Sequence, residues 1–122
     1  MPDPIAQMAA DRQEARVVIR LSGEVDFTTV EALRTQIENA VAEVAEVVID
    51  LTAVEFLDSG GLRLLHQVES ATAGRSQSLV VVAPPTCVAR SVLDIAGMKG
   101  DLAVRDSLPS DRRPGSHMGE DC

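Results

Sequence analysis

The chain has 122 residues with 11 basic and 19 acidic side chains, which gives a formal net charge of −8. This acidic balance, with two Phe and no Trp or Tyr, argues against a nucleic-acid partner, since phosphate binding needs clustered cations and bases stack on aromatic rings. No apolar run approaches the roughly 20 residues that span a bilayer, and the N-terminus lacks an apolar signal core. We therefore expect a cytoplasmic protein with no membrane partner.

The two cysteines, Cys87 and Cys122, cannot build a disulfide framework and have no metal-ligand spacing. We expect Cys87 to be an inert packing thiol, and the chain to need no metal or cofactor. Residues 109–122 combine Pro, Gly and scattered charges, which predicts a disordered polar tail after a single domain at 1–108. Within the tail, residues 115–118 resemble a protease-cleavage scar of an expression vector and carry no functional argument.

The first half of the domain predicts two strands and a helix. A weak apolar segment at 5–10 predicts an edge strand, and the β-branched run at 15–21 predicts a second strand. Thr28, with Glu31 three residues later, has the pattern of a capping box at a helix start. The apolar residues that follow at helical spacing are Val30, Leu33, Ile37, Ala40, Val41 and Val44.

The second half alternates strands and helices. Continuous apolar runs at 47–51 and 79–83 predict buried strands of a parallel sheet, and 102–104 predicts a last short strand. A helix after the break at 58–61 is expected to turn inward Leu62, Leu65, Val68 and Ala71 or Thr72, and to stop at Gly74. A third helix, capped by Thr86 and followed by Gly97, is expected to carry the apolar residues Val88, Val92, Leu93, Ile95 and Ala96. This order predicts an α/β fold with one mostly parallel sheet.

Catalytic chemistry finds little support in the sequence. The segment 58–61 reads Asp-Ser-Gly-Gly, like the nucleophile segment of trypsin-like proteases, but no histidine precedes Ser59 and His66 lies about two helical turns after it. Asp26 and Asp58 stand at predicted ends of elements, where solvated helix caps are the simpler interpretation than a catalytic pair. We therefore expect a protein that is not an enzyme.

Ser59 lies between a buried strand and an amphipathic helix, so it is expected to be a helix N-cap or first-turn residue. A helix N-terminus tolerates a phosphate, because its free amides and dipole favour negative charge. Phosphorylation there would add roughly −1.5 to −2 charges beside Asp58 without unfolding the domain. Such a charge change can switch a partner surface.

The stretch from Val47 to Leu65, centred on Phe56-Leu57-Asp58-Ser59-Gly60-Gly61-Leu62, resembles the signature of the STAS domain. More narrowly, it resembles the bacterial anti-sigma factor antagonists, whose Gly-Glu-apolar-Asp motif is similar to residues 23–26. The segment 88–98 is similar to the third helix of that family and the glycine after it. The resemblance covers about residues 5–108 and implies a small mixed sheet with helices packed mainly against one face.

The resemblance also implies a partner-switching function. The unphosphorylated protein would bind an anti-sigma factor, a serine kinase of the histidine-kinase-like ATPase fold, and so release a sigma factor. The kinase would phosphorylate the serine after the motif aspartate, here Ser59, and a metal-dependent serine phosphatase would reset it. Asp26 and Asp58 would shape the partner surface.

Two residues at this surface depart from the family pattern. Gly60 stands where the family usually has Ser or Thr, which leaves Ser59 as the hydroxyl of the motif, and Arg63 stands where a small residue is common. The expected partner-binding residues are Asp26, Asp58, Ser59, Gly60, Gly61 and Arg63. The alternative is a STAS interaction module for another partner, such as a stress-signalling complex, that is not phosphorylated.

Overall fold

Five strands and three helices alternate in the computed structural model, which describes residues 6–96 and 103–108. The strands are β1 (Ala6–Gln13), β2 (Arg16–Val25), β3 (Glu46–Leu57), β4 (Ser78–Val82) and β5 (Val104–Arg105). The helices are α1 (Val30–Ala40), α2 (Ser59–Gly74) and α3 (Val88–Ala96). The sheet order is β1-β2-β3-β4-β5, with β1 antiparallel to β2 and the other pairs parallel. This confirms the predicted mixed, mostly parallel sheet.

The three helices pack against one face of the sheet. Alternate strand residues, such as Val17, Ile19 and Ile49, join the buried residues of the helices in one apolar core. The residues that the helices contribute are Leu33 and Ile37 from α1, Leu64, Leu65 and Val68 from α2, and Ala89 and Leu93 from α3. The helices therefore lie where the family resemblance implied.

The opposite face of the sheet carries a second, smaller apolar cluster of Val18, Val48, Val80 and Val82. Ion pairs between neighbouring strands flank it: Arg16 Nε lies 3.1 Å from Glu46 Oε1, and Arg20 Nε lies 3.7 Å from Asp50 Oδ2. Val48 and Val81, from opposite faces, are both 0% exposed, which confirms the prediction that the two β-branched runs are buried.

Strand β3 extends well beyond the predicted 47–51. The sequence pattern misses its second half, because two bulges break the alternation of buried and exposed residues there. Its register against β2 shifts after Asp50 and again after Val54, so that β3 carries one extra residue at each point. Buried residues consequently recur every third position, at Leu51, Val54 and Leu57. Asp50 Oδ1 accepts hydrogen bonds from the Thr52 amide at 2.9 Å and the Thr52 hydroxyl at 2.6 Å, which fixes the chain at the first bulge.

The predicted capping box at the start of α1 is not formed. The residue before the helix is Thr29, which makes no side-chain cap, and Thr28 turns back to Asp26 instead. Glu31 lies 2.8 Å from Arg34, so it forms an ion pair within the helix. The helix ends at Ala40, although the later residues of the predicted apolar stripe, Val41 and Val44, remain buried.

The third helix differs from the prediction in its start. It begins at Val88 rather than directly after Thr86, and its buried residues are Ala89 and Leu93. Ile95, one of the apolar residues that this helix carries, is 87% exposed, because the face that meets the sheet is set by Ala89 and Leu93. Gly97, Leu102 and the tail at 109–122 lie outside the described residues.

The structure also bears on the predictions about thiols, metal binding and membrane spans, as far as they fall on the described residues. Cys87 is half-buried and packs against the main core, which agrees with a packing role, whereas Cys122 lies outside the described residues. Within residues 6–96 and 103–108, no group of three or more His, Cys, Asp or Glu is placed to hold a metal ion. No helix in these ranges is both long and apolar enough to cross a membrane.

Candidate functional site

The site forms where β2 and β3 end side by side. Val25 and Leu57, the last residues of the two strands, are partners in the parallel ladder, and the Asp58 amide lies 3.4 Å from the Val25 carbonyl oxygen. Asp26 and Asp58 each follow one of these strands. The topology therefore brings the two predicted carboxylates to the same edge of the sheet, as expected for parallel strands.

Asp58, rather than Ser59, is the N-cap of α2. Its Oδ1 accepts hydrogen bonds from the Gly60 amide at 2.8 Å and from the Gly61 amide at 3.2 Å. These are two of the amides that a helix start leaves without a partner inside the helix. Ser59 becomes the first residue of the helix, so of the two predicted positions the first-turn position is the correct one.

The Ser59 side chain is exposed and unengaged. Its hydroxyl makes no hydrogen bond with any other residue in the described part of the chain, His66 included. With the capping function held by Asp58, this hydroxyl is accessible for interaction or modification.

Two glycines allow close packing at the start of α2. A Cβ at Gly60 would lie 2.7 Å from the Phe27 amide nitrogen, and a Cβ at Gly61 would lie 2.8 Å from the Val25 carbonyl oxygen and collide with Leu57. Any side chain there would push the β2–α1 loop away from α2. Gly61 is itself buried, so we expect it to shape the surface rather than to touch a partner.

Asp26 holds the loop between β2 and α1 in a fixed turn. Its Oδ1 accepts hydrogen bonds from the Thr28 hydroxyl at 2.6 Å and the Thr28 amide at 2.9 Å, and the Asp26 carbonyl accepts from Thr29 and Val30. The hydrogen bond from the Thr28 hydroxyl lowers the pKa of the Asp26 carboxyl below its usual value, and the backbone amides add to this effect. Asp26 thus has a structural role besides its expected partner role.

Replacing Asp26 with alanine is expected to lower stability at neutral pH, because the Thr28 amide and hydroxyl lose their acceptor. A carboxyl whose folded pKa is lowered contributes stability above its unfolded pKa, near 3.8, and loses that contribution as pH falls through the folded pKa. The urea midpoints of wild type and variant should therefore differ at pH 7 and converge at strongly acidic pH. A gap that is unchanged at acidic pH would contradict this assignment.

Phe27 is the residue at this site that the sequence patterns did not single out. It is 74% exposed, and its backbone packs against Gly60, next to Ser59. Aromatic side chains are enriched at protein contact surfaces, so an exposed ring at this position is a candidate contact. The available sequence signal was its position directly after the motif residue Asp26.

Arg63 lies one helical turn beyond Ser59 on α2 and is also exposed. Together, Asp26, Phe27, Asp58, Ser59, Gly60, Gly61 and Arg63 make up what we call the α2 surface. It combines an aromatic ring, an accessible hydroxyl, the Asp58 carboxylate that caps α2, the Asp26 carboxylate that holds the β2–α1 turn, and one guanidinium group. This composition fits protein recognition, and among residues 6–96 and 103–108 no base accepts a hydrogen bond from the Ser59 hydroxyl.

Comparison with known proteins gives consistent relatives. Residues 8–105 match the family described as "Mlab, STAS domain". The anti-sigma-F factor antagonist RsfB of Mycobacterium tuberculosis is 38% identical over 92 residues, which are 75% of this chain and 74% of the relative.

Solved structures agree with this relationship. The crystal structure of an anti-sigma factor antagonist from Mycobacterium paratuberculosis has a TM-score of 0.74 at 30% identity, covering 84% of this chain and 87% of that one. The unphosphorylated form of the antagonist SpoIIAA shares the fold, with a TM-score of 0.69 at 24% identity over 84% of this chain and 89% of its own. By its fold, its motif residues and these relatives, the chain belongs to the STAS-domain family of anti-sigma factor antagonists.

Proposed function

We propose that this chain binds an anti-sigma factor through the α2 surface and thereby frees a sigma factor. The names of its relatives support the class of partner, since RsfB and the Mycobacterium paratuberculosis protein are both antagonists of anti-sigma factors. The accessible Ser59 hydroxyl, held at the start of α2 by a cap that another residue supplies, is the observation that carries the proposal.

Phe27 is the proposed anchor of the complex. Interfaces draw most of their binding energy from a few aromatic and Arg side chains that become buried on binding. Phe27 is mostly exposed to solvent, and its backbone packs against Gly60. Little backbone conformational entropy should therefore be lost when a partner pocket buries the ring. The ring would place the partner directly over Ser59.

The partner would be a serine kinase of the histidine-kinase-like ATPase fold that phosphorylates Ser59. In this step the Ser59 oxygen bonds to the γ-phosphorus of ATP, ADP leaves, and the hydroxyl proton passes to a base of the kinase. A serine phosphatase would hydrolyse the phosphoester and restore the hydroxyl. The kinase reaction would draw on the ATP of the cytoplasm, whereas the phosphatase reaction would consume water and release inorganic phosphate. The partner enzymes would supply the catalytic groups of both reactions.

Phosphate at Ser59 would end binding through charge and desolvation. It would add roughly −1.5 to −2 charges next to Asp58, whose carboxylate already occupies the Gly60 and Gly61 amides. A partner surface fitted to a small hydroxyl would have to bury this dianion. Such a mismatch in a packed interface costs several kcal/mol.

The proposal is tested by mixing the purified chain with an anti-sigma factor kinase encoded in the same genome and following the complex by size-exclusion chromatography. Without ATP, the two proteins should co-elute. After ATP is added, they should separate as phosphate accumulates on Ser59, identified by mass spectrometry. Failure to form a complex with any such kinase would reject the proposal, and co-elution that persists after full phosphorylation would reject the switch.

Replacing Phe27 with alanine is expected to weaken binding to the anti-sigma factor about tenfold or more, which corresponds to at least ~1.4 kcal/mol for an interface anchor. The thermal midpoint should change little, because the ring is exposed. Isothermal titration calorimetry gives both affinities. The matched control is Ile95→Ala, which removes another exposed apolar side chain from α3 and should bind like wild type. Equal losses of affinity in the two variants would show that Phe27 makes no specific contact with the anti-sigma factor.

A further inference from the structure

Arg63 lies on the exposed side of α2, four residues after Ser59. Side chains four residues apart on a helix are neighbours, about 6 Å apart along its axis. Helical side chains also point toward the N-terminus of the helix. The Cα–Cβ bond of Arg63 is therefore expected to lean toward the first turn of α2, where Ser59 lies, and its long side chain can reach that turn.

Arg63 differs from the arginines that support the fold. Arg16, Arg20, Arg34 and Arg90 each form an ion pair with a carboxylate. In the described part of the chain, no carboxylate lies within ion-pair distance of Arg63. Its charge is therefore available to a new anion.

A phosphate on Ser59 would find few other donors nearby. Asp58 Oδ1 takes the Gly60 and Gly61 amides, and Asp26 Oδ1 takes the Thr28 amide and hydroxyl. The two carboxylates also add negative charge beside the phosphate. Arg63, one turn further along the helix, is a positive charge that can pair with the phosphate. An anion placed N-terminal to its cation is also the favoured order on a helix.

We propose that Arg63 is the intramolecular counter-ion of phosphorylated Ser59. The pairing stabilises the phosphorylated form of the free protein and occupies Arg63, which is then unavailable to the partner. The inference rests on the proposed function only in that Ser59 carries phosphate.

The test uses protein in which phosphoserine is incorporated at position 59 during translation, so that it needs no kinase. The second pKa of the phosphate, about 6 in its free form, is measured by ³¹P NMR titration. Asp26, Asp58 and His66 are other charged or titratable groups on the elements around it. All proteins therefore carry His66→Ala as a common background.

The phosphate pKa should be lower with Arg63 present than in Arg63→Ala by at least ~0.3 pH units, or about 0.4 kcal/mol. Arg63→Lys should retain part of the shift, and the matched control Arg75→Ala, at the far end of the same helix, should retain all of it. Equal pKa values in the parent and in Arg63→Ala would overturn the inference, while leaving the kinase-binding proposal intact. Failure of the chain to bind the kinase would reject the proposed function and leave the pairing of Arg63 with the phosphate intact, since this titration does not involve the kinase.

Discussion

Replacing Ser59 with alanine is expected to make the complex with the anti-sigma factor permanent, because the kinase can no longer transfer phosphate from ATP to this position. The variant should co-elute with the kinase in the presence and absence of ATP and take up no label at the site. Its stability should match that of wild type closely, since Asp58 supplies the helix cap. Ser59→Asp should fold but bind about a hundredfold more weakly, because a carboxylate meets the surface that accepts the hydroxyl.

The matched control for these variants is Ser70→Ala, which removes another exposed serine of α2, about three turns after the first residue. It should be labelled and released by ATP like wild type. Labelling that persists in Ser59→Ala would assign the phosphate to another residue. Gly60 carries no hydroxyl that could take over the reaction, so the outcome is easy to interpret.

Replacing Leu65 with alanine is expected to lower the free energy of unfolding by about 2–5 kcal/mol, because it opens a cavity in a packed core. Leu65 is 1% exposed and belongs to the core formed between the helices and the sheet. Ile37, equally buried on α1, should behave alike. Chemical denaturation measured by circular dichroism gives the loss directly.

The control for the core prediction is the exposed Ile95, whose replacement by alanine should change the free energy of unfolding by about 0.5 kcal/mol or less. A similar small loss for Leu65→Ala would mean that α2 is packed in a different register. The comparison separates burial from residue type, since all three side chains are aliphatic and of the same size.

The sheet was predictable from the sequence because its central strands are continuous β-branched runs, which are typical of strands buried on both faces of a parallel sheet. The second half of β3 was not predictable in this way. Its two bulges give Leu51, Val54 and Leu57 a spacing of three, which matches neither an alternating strand nor a helix. Bulges depend on the pairing with β2, and that pairing is a property of the folded sheet.

In the candidate site, too, some features were predictable from the sequence and others were not. The position of Ser59 at a helix start follows from the strand before it and the amphipathic pattern after it, whereas its switching role came from the family resemblance. Local patterns could not decide whether Ser59 or Asp58 caps α2, since both are good caps. The place of Phe27 beside Ser59 also required the structure, because it depends on the contact between Gly60 and a loop more than 30 residues earlier.

The central claim is that a phosphate on Ser59 ends binding to the anti-sigma factor. The most direct measurement compares, by isothermal titration calorimetry without ATP, the Kd of the unmodified chain with that of the chain carrying phosphoserine at position 59. The account predicts a Kd at least ~100-fold higher for the phosphorylated chain, equivalent to about 2.7 kcal/mol of binding free energy. Equal Kd values for the two forms would contradict it.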